Sequence, residues 1–194
     1  METQEIIGQA CGIVGLLLAV YSFQEKSNTR FFIFQALTSL MFFLNFWLIG
    51  AISGALFNIA SLIRGLLLAK NGKRVWKLVF IEAMLTACFV YSLMQIVQEE
   101  GFALATGWLG ILLSGLTFVS LLTITVFMWR GNGKHIRYVQ FFFNSPAWIL
   151  YNSFNFTLGG IICETFNMIS IIVSFIRYGK NGFEGADPEM QSEA

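Results

Sequence analysis

Charge is what this chain is short of. Only 12% of its residues are Asp, Glu, Lys or Arg, about half the roughly 25% typical of soluble domains. It has one His, one Asp and two Pro among 194 residues. With one His, the usual zinc and haem ligand sets cannot be assembled, and the three cysteines, Cys11, Cys88 and Cys163, stand far apart inside apolar stretches with no Cys-x-x-Cys pair. No disulfide scaffold, metal centre or redox cofactor is expected. No nucleophile elbow, phosphate loop, kinase or zincin signature occurs, and the one Asp lies in the C-terminal tail, so the chain does not read as an enzyme. Lys and Arg number 12 against 11 acidic residues, a net charge of +1 that implies no nucleic-acid partner.

What the chain does have is hydrocarbon: 56% hydrophobic residues, 16% aromatic, 21 Phe and a mean hydropathy of +0.69. That is the composition of a membrane protein, with the lipid bilayer as its first partner. A bilayer core about 30 Å thick takes roughly 20 apolar residues per helix. Charges and glycines divide the chain into seven such runs: Ile6 to Phe23, Phe31 to Ile49, Ala51 to Ala69, Trp76 to Val97, Ala103 to Met128, Ile136 to Phe154 and Thr157 to Ile176. The stretch from Phe31 to Ala69 carries a single charge and is nearly twice one crossing, so it must reverse near Gly50. The sixth and seventh runs are joined as tightly, through Asn155 and Phe156. Glu2 and Glu5, rather than basic residues, precede the first run, and no lipidation pattern occurs, so the first span is expected to be retained.

Basic loops are kept on the cytoplasmic side. Lys26 and Arg30 lie in the first connection, Lys70, Lys73, Arg74 and Lys77 in the third, Arg130, Lys134 and Arg137 in the fifth, and Arg177 and Lys180 after the last span. Glu2, Glu5, Glu99 and Glu100 take the other side. This predicts an odd number of spans, N-terminus outside and C-terminus cytoplasmic. Arg64, six positions before Lys70, is close enough to the surface to snorkel. The segment from Tyr178 to Ala194 is Gly-rich and acidic and reads as a solvated, disordered tail.

Spans one to three resemble spans five to seven. Asn45-Phe46-Trp47 leads into Gly54, and Tyr151-Asn152 leads into Gly159 and Gly160; each third span closes on the same words, Lys70-Asn71-Gly72 and Lys180-Asn181-Gly182. Counting from the glycines pairs Asn58 with Glu164, and counting back from the closing lysines pairs Asn58 with Asn167. A three-span unit reverses direction, so a lone linker span is needed for the second copy to run parallel to the first. The expected architecture is therefore an all-α polytopic bundle of seven transmembrane helices with 3+1+3 parallel repeats: residues 1–75, a linker span over 76–102, residues 103–177 and a tail over 178–194. Parallel repeats place substrate sites at their interface near the midplane.

Polar groups in hydrocarbon face the bundle interior or a water-filled cavity. The candidates fall in four spans: Gln35, Thr38, Ser39 and Asn45; Asn58 and Ser61; Gln140, Asn144, Ser145, Tyr151 and Asn152; Glu164 and Asn167. Each alone is accounted for by interhelical hydrogen bonding. Glu164, by helical rise, lies roughly 10 Å inside the outer boundary, where a carboxylate is protonated, titrates with function or meets a cation. Glu82 stands at the depth of Arg64 and is expected to form a structural ion pair with it. Pro146 removes the hydrogen bond to Phe142 and marks a kink or hinge, with Asn144 and Ser145 placed to satisfy the freed backbone. Trp76, Trp108 and Trp129 fall at span ends, where aromatic belts form. Trp148 is mid-membrane, open to packing or to stacking on a ring-shaped ligand. His135 lies in a basic loop and reads as solvated.

Trp148-Ile-Leu-Tyr-Asn152, Gly159-Gly160-Ile-Ile-Cys-Glu164 and Ile176-Arg177 resemble the bacterial inner-membrane YgjV family, whose last span carries Gly-Gly, then Glu four residues on, and a terminal Ile-Arg. Asn45-Phe-Trp-Leu-Ile-Gly50 and Leu62-Ile-Arg64 fit the same likeness, which covers most of the chain. That family is similar in turn to the SWEET, semi-SWEET and PQ-loop group, and the resemblance implies a three-plus-one-plus-three bundle that often transports sugars or other small solutes. It also implies that Asn58 and Asn167 match the pocket-lining Asn of each third helix. The hinge prolines of that group are absent except for Pro146: Ser22-Phe23-Gln24 stands where Pro-Gln is expected.

The reading that follows is a membrane transporter or facilitator of a small polar solute. Asn58, Glu164 and Asn167 bind it, and Asn45, Asn144, Tyr151, Asn152 and Trp148 line the path. The competing class is a non-transporting membrane binding or scaffold protein in which these groups only hold helices together. The sequence leaves oligomeric state open.

Overall fold

A backbone inside lipid has to satisfy its own N–H and C=O groups, and helices do this within one segment. The structure, a computed structural model of the chain, describes residues 3–48, 52–69, 74–97, 107–154 and 158–179, and every element among them is helical. The elements are α1 Thr3–Ser22, α2 Asn28–Leu48, α3 Ile52–Ala69, α4 Val75–Val97, α5 Gly107–Arg130, α6 Gly133–Val139, α7 Ser145–Phe154 and α8 Leu158–Tyr178. A π-helical segment, Gln140–Asn144, joins α6 to α7. The residues flanking it, Val139 (φ −64°) and Ser145 (φ −62°), keep right-handed helical backbone, so α6, the π segment and α7 form one rod. The described chain thus makes seven rods, at the positions of the seven apolar runs. Four helical stretches, Asn28–Leu48, Val75–Met94, Trp108–Arg130 and Gly159–Tyr178, are long and apolar enough to cross a bilayer, and Ile6–Ser22 and Gly54–Ala69 are shorter apolar helices. The reversal at Gly50, the joint at Asn155 and Phe156, the span start at Ala103, the closing words at Lys70 and Lys180, the acidic pair Glu99 and Glu100, and the tail beyond Gly179 lie outside the described residues.

Burial is arranged for a lipid surround. Leu17, Trp47, Val79, Trp108, Phe142 and Ile176 present large apolar side chains outward. Ser22, Ser92, Thr117, Ser120, Thr125, Ser145 and Ser174 are fully enclosed, alongside a core that includes Phe23, Phe31, Phe32, Phe57, Leu85, Leu121 and Ile136. An apolar exterior around small hydroxyl residues is what helix association in lipid requires. Hydrocarbon outside offers no hydrophobic drive, so close approach and interhelical hydrogen bonds hold the rods.

Each rod packs on its chain neighbours, and α8 returns to α1. Neighbours are antiparallel: Gln35 on α2 meets Ser22 at the end of α1, while Asn45, farther along α2, meets Gly8 near its start. At α2–α3 the approach is close enough that a Cβ on Gly65 would stand 2.8 Å from the Ala36 Cβ and 3.0 Å from the Phe32 carbonyl oxygen. Helices α1 and α8 are parallel, since Ser170 Oγ donates to Val20 O (2.6 Å) and the Lys26 ammonium lies 4.5 Å from the Tyr178 ring centre.

One end of the bundle therefore gathers the basic connections. Gly131, at φ 69°, turns the chain from α5 into α6, and its carbonyl accepts from Asn28 Nδ2 at the start of α2 (2.6 Å). Lys77 Nζ donates to Leu67 O (3.0 Å), closing α4 against the end of α3. Arg137, counted from sequence among the loop charges, is 1% exposed. Its Nη1 donates to Gly133 O (3.1 Å) and its Nη2 to Phe23 O (3.0 Å) and Glu25 O (2.7 Å), so it staples the α1–α2 connection to α6.

Candidate functional site

The π segment is the local irregularity around which the polar residues collect. In an α-helix the side chains at i and i+5 point to different faces; a π turn closes i to i+5. Here the Ser145 N–H bonds Gln140 O, and the widened turn brings Ser145 back round to Gln140. Gln140 then reaches two partners on its own rod: its Nε2 donates to Ser145 Oγ (3.0 Å) and its Oε1 accepts from Asn144 Nδ2 (3.0 Å). Pro146 follows directly, and the π turn before it supplies the room its ring needs. Asn144 and Ser145 do not turn back to satisfy freed backbone, as the sequence suggested. Both side chains are spent on other side chains.

Across the α7–α8 seam the same group meets Glu164. Ser145 Oγ donates to Glu164 Oε2 at 2.6 Å, and Gln140 Nε2 and Asn167 Nδ2 approach that oxygen at 3.4 Å each. Asn167 Nδ2 also faces Cys163 Sγ at 3.8 Å. From α5, Ser120 Oγ lies 3.0 Å from Asn144 Oδ1 and 2.7 Å from Thr117 O of its own turn, with one proton to give to the two. A carboxylate, three carboxamides and two hydroxyls from three rods thus form one connected network inside the apolar zone. The seam is tight: Asn152 packs on the bare backbone of Gly160, where a Cβ would fall 2.5 Å from the Asn152 side chain. Asn167 Oδ1 and Asn152 Oδ1 are buried with no hydrogen-bond partner among the described residues.

Of the residues singled out from sequence, Gln140, Asn144, Ser145, Glu164 and Asn167 come together. Asn45 and Asn58 do not join them. Asn45 Nδ2 donates to Gly8 O on α1 (2.7 Å), and Asn58 Nδ2 to Gly54 O one turn earlier on its own helix (2.8 Å). Trp148 stands edge-on to Phe57 of α3 (6.4 Å between centroids) and to Tyr151 (5.6 Å), bridging the two halves by aromatic packing. Ser120 was missed, as was the α5 face it belongs to: Ser114, Thr117, Ser120 and Thr125 are all buried. Their helical spacing was visible, but Ser and Thr cost little in a membrane helix because they bond the preceding turn, as Thr117 Oγ1 does to Leu113 O (3.0 Å).

A second charged locus lies at α3, α4 and α5. Arg64 does not snorkel: it is 6% exposed and its Nη1 donates to Thr125 Oγ1 (3.1 Å). Among the described residues the expected ion pair between Arg64 and Glu82 is not formed. Arg64 Nε and Glu82 Oε1 are both buried without a partner among the described residues. Thr125 draws the guanidinium inward toward α5. Trp76 and Trp108 are exposed, as belt residues are, whereas Trp129 turns inward, its Nε1 without a partner among the described residues. His135 is exposed and opens α6, its backbone N–H capped by Asn132 Oδ1 (3.1 Å). No group of three His, Cys, Asp or Glu side chains meets among the described residues.

The model of one protein family, Imp-YgjV, described as bacterial inner membrane protein, matches residues 6–182. No curated protein and no solved structure matches the chain.

Proposed function

The chain belongs to the Imp-YgjV family of bacterial inner membrane proteins, and on that premise we propose that it is a transporter or facilitator of a small polar solute. It works by alternating access between two like-oriented three-helix groups, α1–α3 and α5–α8, joined by α4, in the manner of SWEET and PQ-loop proteins. The N-terminus is outside and the C-terminus cytoplasmic. The observation that carries the reading is the convergence of Ser145, Gln140 and Asn167 on Glu164 Oε2. A packing role needs one partner per polar group, whereas this carboxylate draws donors from two rods and its network extends to a third. Intramembrane carboxylates with such partners mark substrate and ion paths.

Movement is assigned to the rod carrying the π segment. Such segments lack regular i to i−4 bonding and recur at functional sites, and Pro146 weakens the same stretch. Sliding of α7 against α8 would open and close the network on Glu164, with Trp148 and Phe57 as the contact across the halves. Asn144, Tyr151 and Asn152 line the path. Asn45 and Asn58, bonded to backbone, serve it as struts.

Uptake into proteoliposomes, screened against labelled sugars, nucleosides, amino acids and amines, tests this reading. Glu164→Gln is expected to reduce uptake of the active solute at least tenfold while leaving the melting temperature within a few degrees. Loss of stability with no solute transported by the wild-type protein would assign the network to a scaffold instead.

A further inference from the structure

A ligand has to supply what a site lacks, so the donors and acceptors of the Glu164 network define its chemistry. The donor atoms are already engaged within the network. Ser145 Oγ and Asn167 Nδ2 point to Glu164, Gln140 Nε2 to Ser145 and Glu164, Asn144 Nδ2 to Gln140, and Ser120 Oγ to Thr117 O or Asn144. What remains beside the carboxylate is acceptors. The hydrogen bonds to Glu164 from the described residues all end on Oε2 and leave Oε1 open. Asn167, 5% exposed, holds its Oδ1 buried without a partner among the described residues, one amide group away from the carboxylate.

Among the described residues the site also lacks a cationic partner. None of the hydrogen bonds to Glu164 comes from Lys, Arg or His. The two buried guanidiniums nearest in kind are held elsewhere, Arg64 at Thr125 and Arg137 at the carbonyls of Phe23, Glu25 and Gly133. An uncompensated carboxylate in low dielectric is costly, and its cost is removed by a cation or a proton. The donors beside Glu164 already point to the carboxylate, so a sugar oxygen would have to displace them, and an anion would meet the carboxylate.

We infer that the Glu164–Asn167 site binds a small cation that donates hydrogen bonds, an ammonium head group of a primary amine. Its charge lies on Glu164, and its N–H groups reach Glu164 Oε1 and Asn167 Oδ1. This rests on the reading of the network as a solute site and names the class of solute.

The test uses the full chain purified in detergent, with thermal unfolding followed during titration with methylammonium chloride at fixed pH. Tetramethylammonium chloride, sodium chloride, sodium acetate and sorbitol are the comparators. Methylammonium is expected to raise the melting temperature saturably, by roughly 5 °C at a hundredfold excess over its Kd. The other probes are expected to leave it unmoved at matched ionic strength. Asn167→Ala, which keeps the carboxylate, should weaken the response about tenfold, and Glu164→Gln should abolish it. The wild-type comparison stands even if a variant does not fold. An equal shift from tetramethylammonium or sodium overturns the hydrogen-bonding class. A shift from sorbitol or acetate without one from methylammonium overturns the cation while leaving the solute site standing. Stabilisation by lowered pH alone, with no response to any probe, overturns both, since a proton then neutralises Glu164.

Discussion

The two halves of this bundle use the same polar vocabulary for different ends. In α1–α3 the asparagines bond backbone: Asn45 reaches Gly8 O across to α1 and Asn58 reaches Gly54 O on its own helix, as the Ser39 hydroxyl returns to Gln35 O (2.9 Å). In α5–α8 they bond one another and a carboxylate. Gln35 and Gln140 stand at equal distances from the first residues of their rods, Asn28 and Gly133. Yet Gln35 finds one hydroxyl, Ser22 Oγ at 2.7 Å, while Gln140 joins Asn144, Ser145 and Glu164. The difference is the π turn, which α2 lacks. One half is built to stay closed by backbone approach, as at Gly65; the other concentrates polar side chains where the helix is least regular.

This contrast can be broken at several points. The largest effect is expected where the halves are joined. Arg137→Met removes the donors to Gly133, Phe23 and Glu25 carbonyls and should cost about 3 kcal/mol or more, read as loss of folded, monodisperse protein. Next comes the first half's close approach. Gly65→Val drives a side chain into Ala36 and the Phe32 carbonyl and should cost about 2–3 kcal/mol, measured as a lower unfolding midpoint in detergent. Asn45→Ala removes one interhelical bond and is expected to cost about 1 kcal/mol in the same measurement, with solute binding unchanged. Smallest is Asn58→Ala, whose amide bonds only its own helix: about 0.5 kcal/mol or less, again with binding unchanged. Should Asn58→Ala abolish binding while Glu164→Gln leaves it intact, the assignment of site and support to the two halves would be reversed.

The seven rods were legible because hydrophobic length against bilayer thickness is nearly additive along the chain, and α2, α4 and α8 begin and end within a few residues of the apolar runs. The gathering of Lys26, Lys77 and Arg137 at one end was legible for the same reason, as alternation of charge with each reversal. Glu164 and Asn167 could be singled out because a carboxylate and an amide in hydrocarbon stand out in any composition. Three things were not legible. Arg64 was expected to snorkel toward the surface and instead turns inward to Thr125. Arg137 was counted as a loop charge and is an enclosed staple. Ser120 was passed over because hydroxyls in membrane helices so often bond their own turn.

Sequence alone determined that this chain lives in lipid, how many rods it forms, that successive rods reverse direction and which side chains are too polar to face hydrocarbon. Those follow from transfer free energies that each residue carries wherever it sits. Which polar group meets which was decided by tertiary structure. Partners depend on the rotation of each helix about its axis, and successive residues lie about 100° apart around an α-helix. The one-residue widening at Gln140–Asn144 is enough to re-aim Ser145 from its own helix toward Glu164.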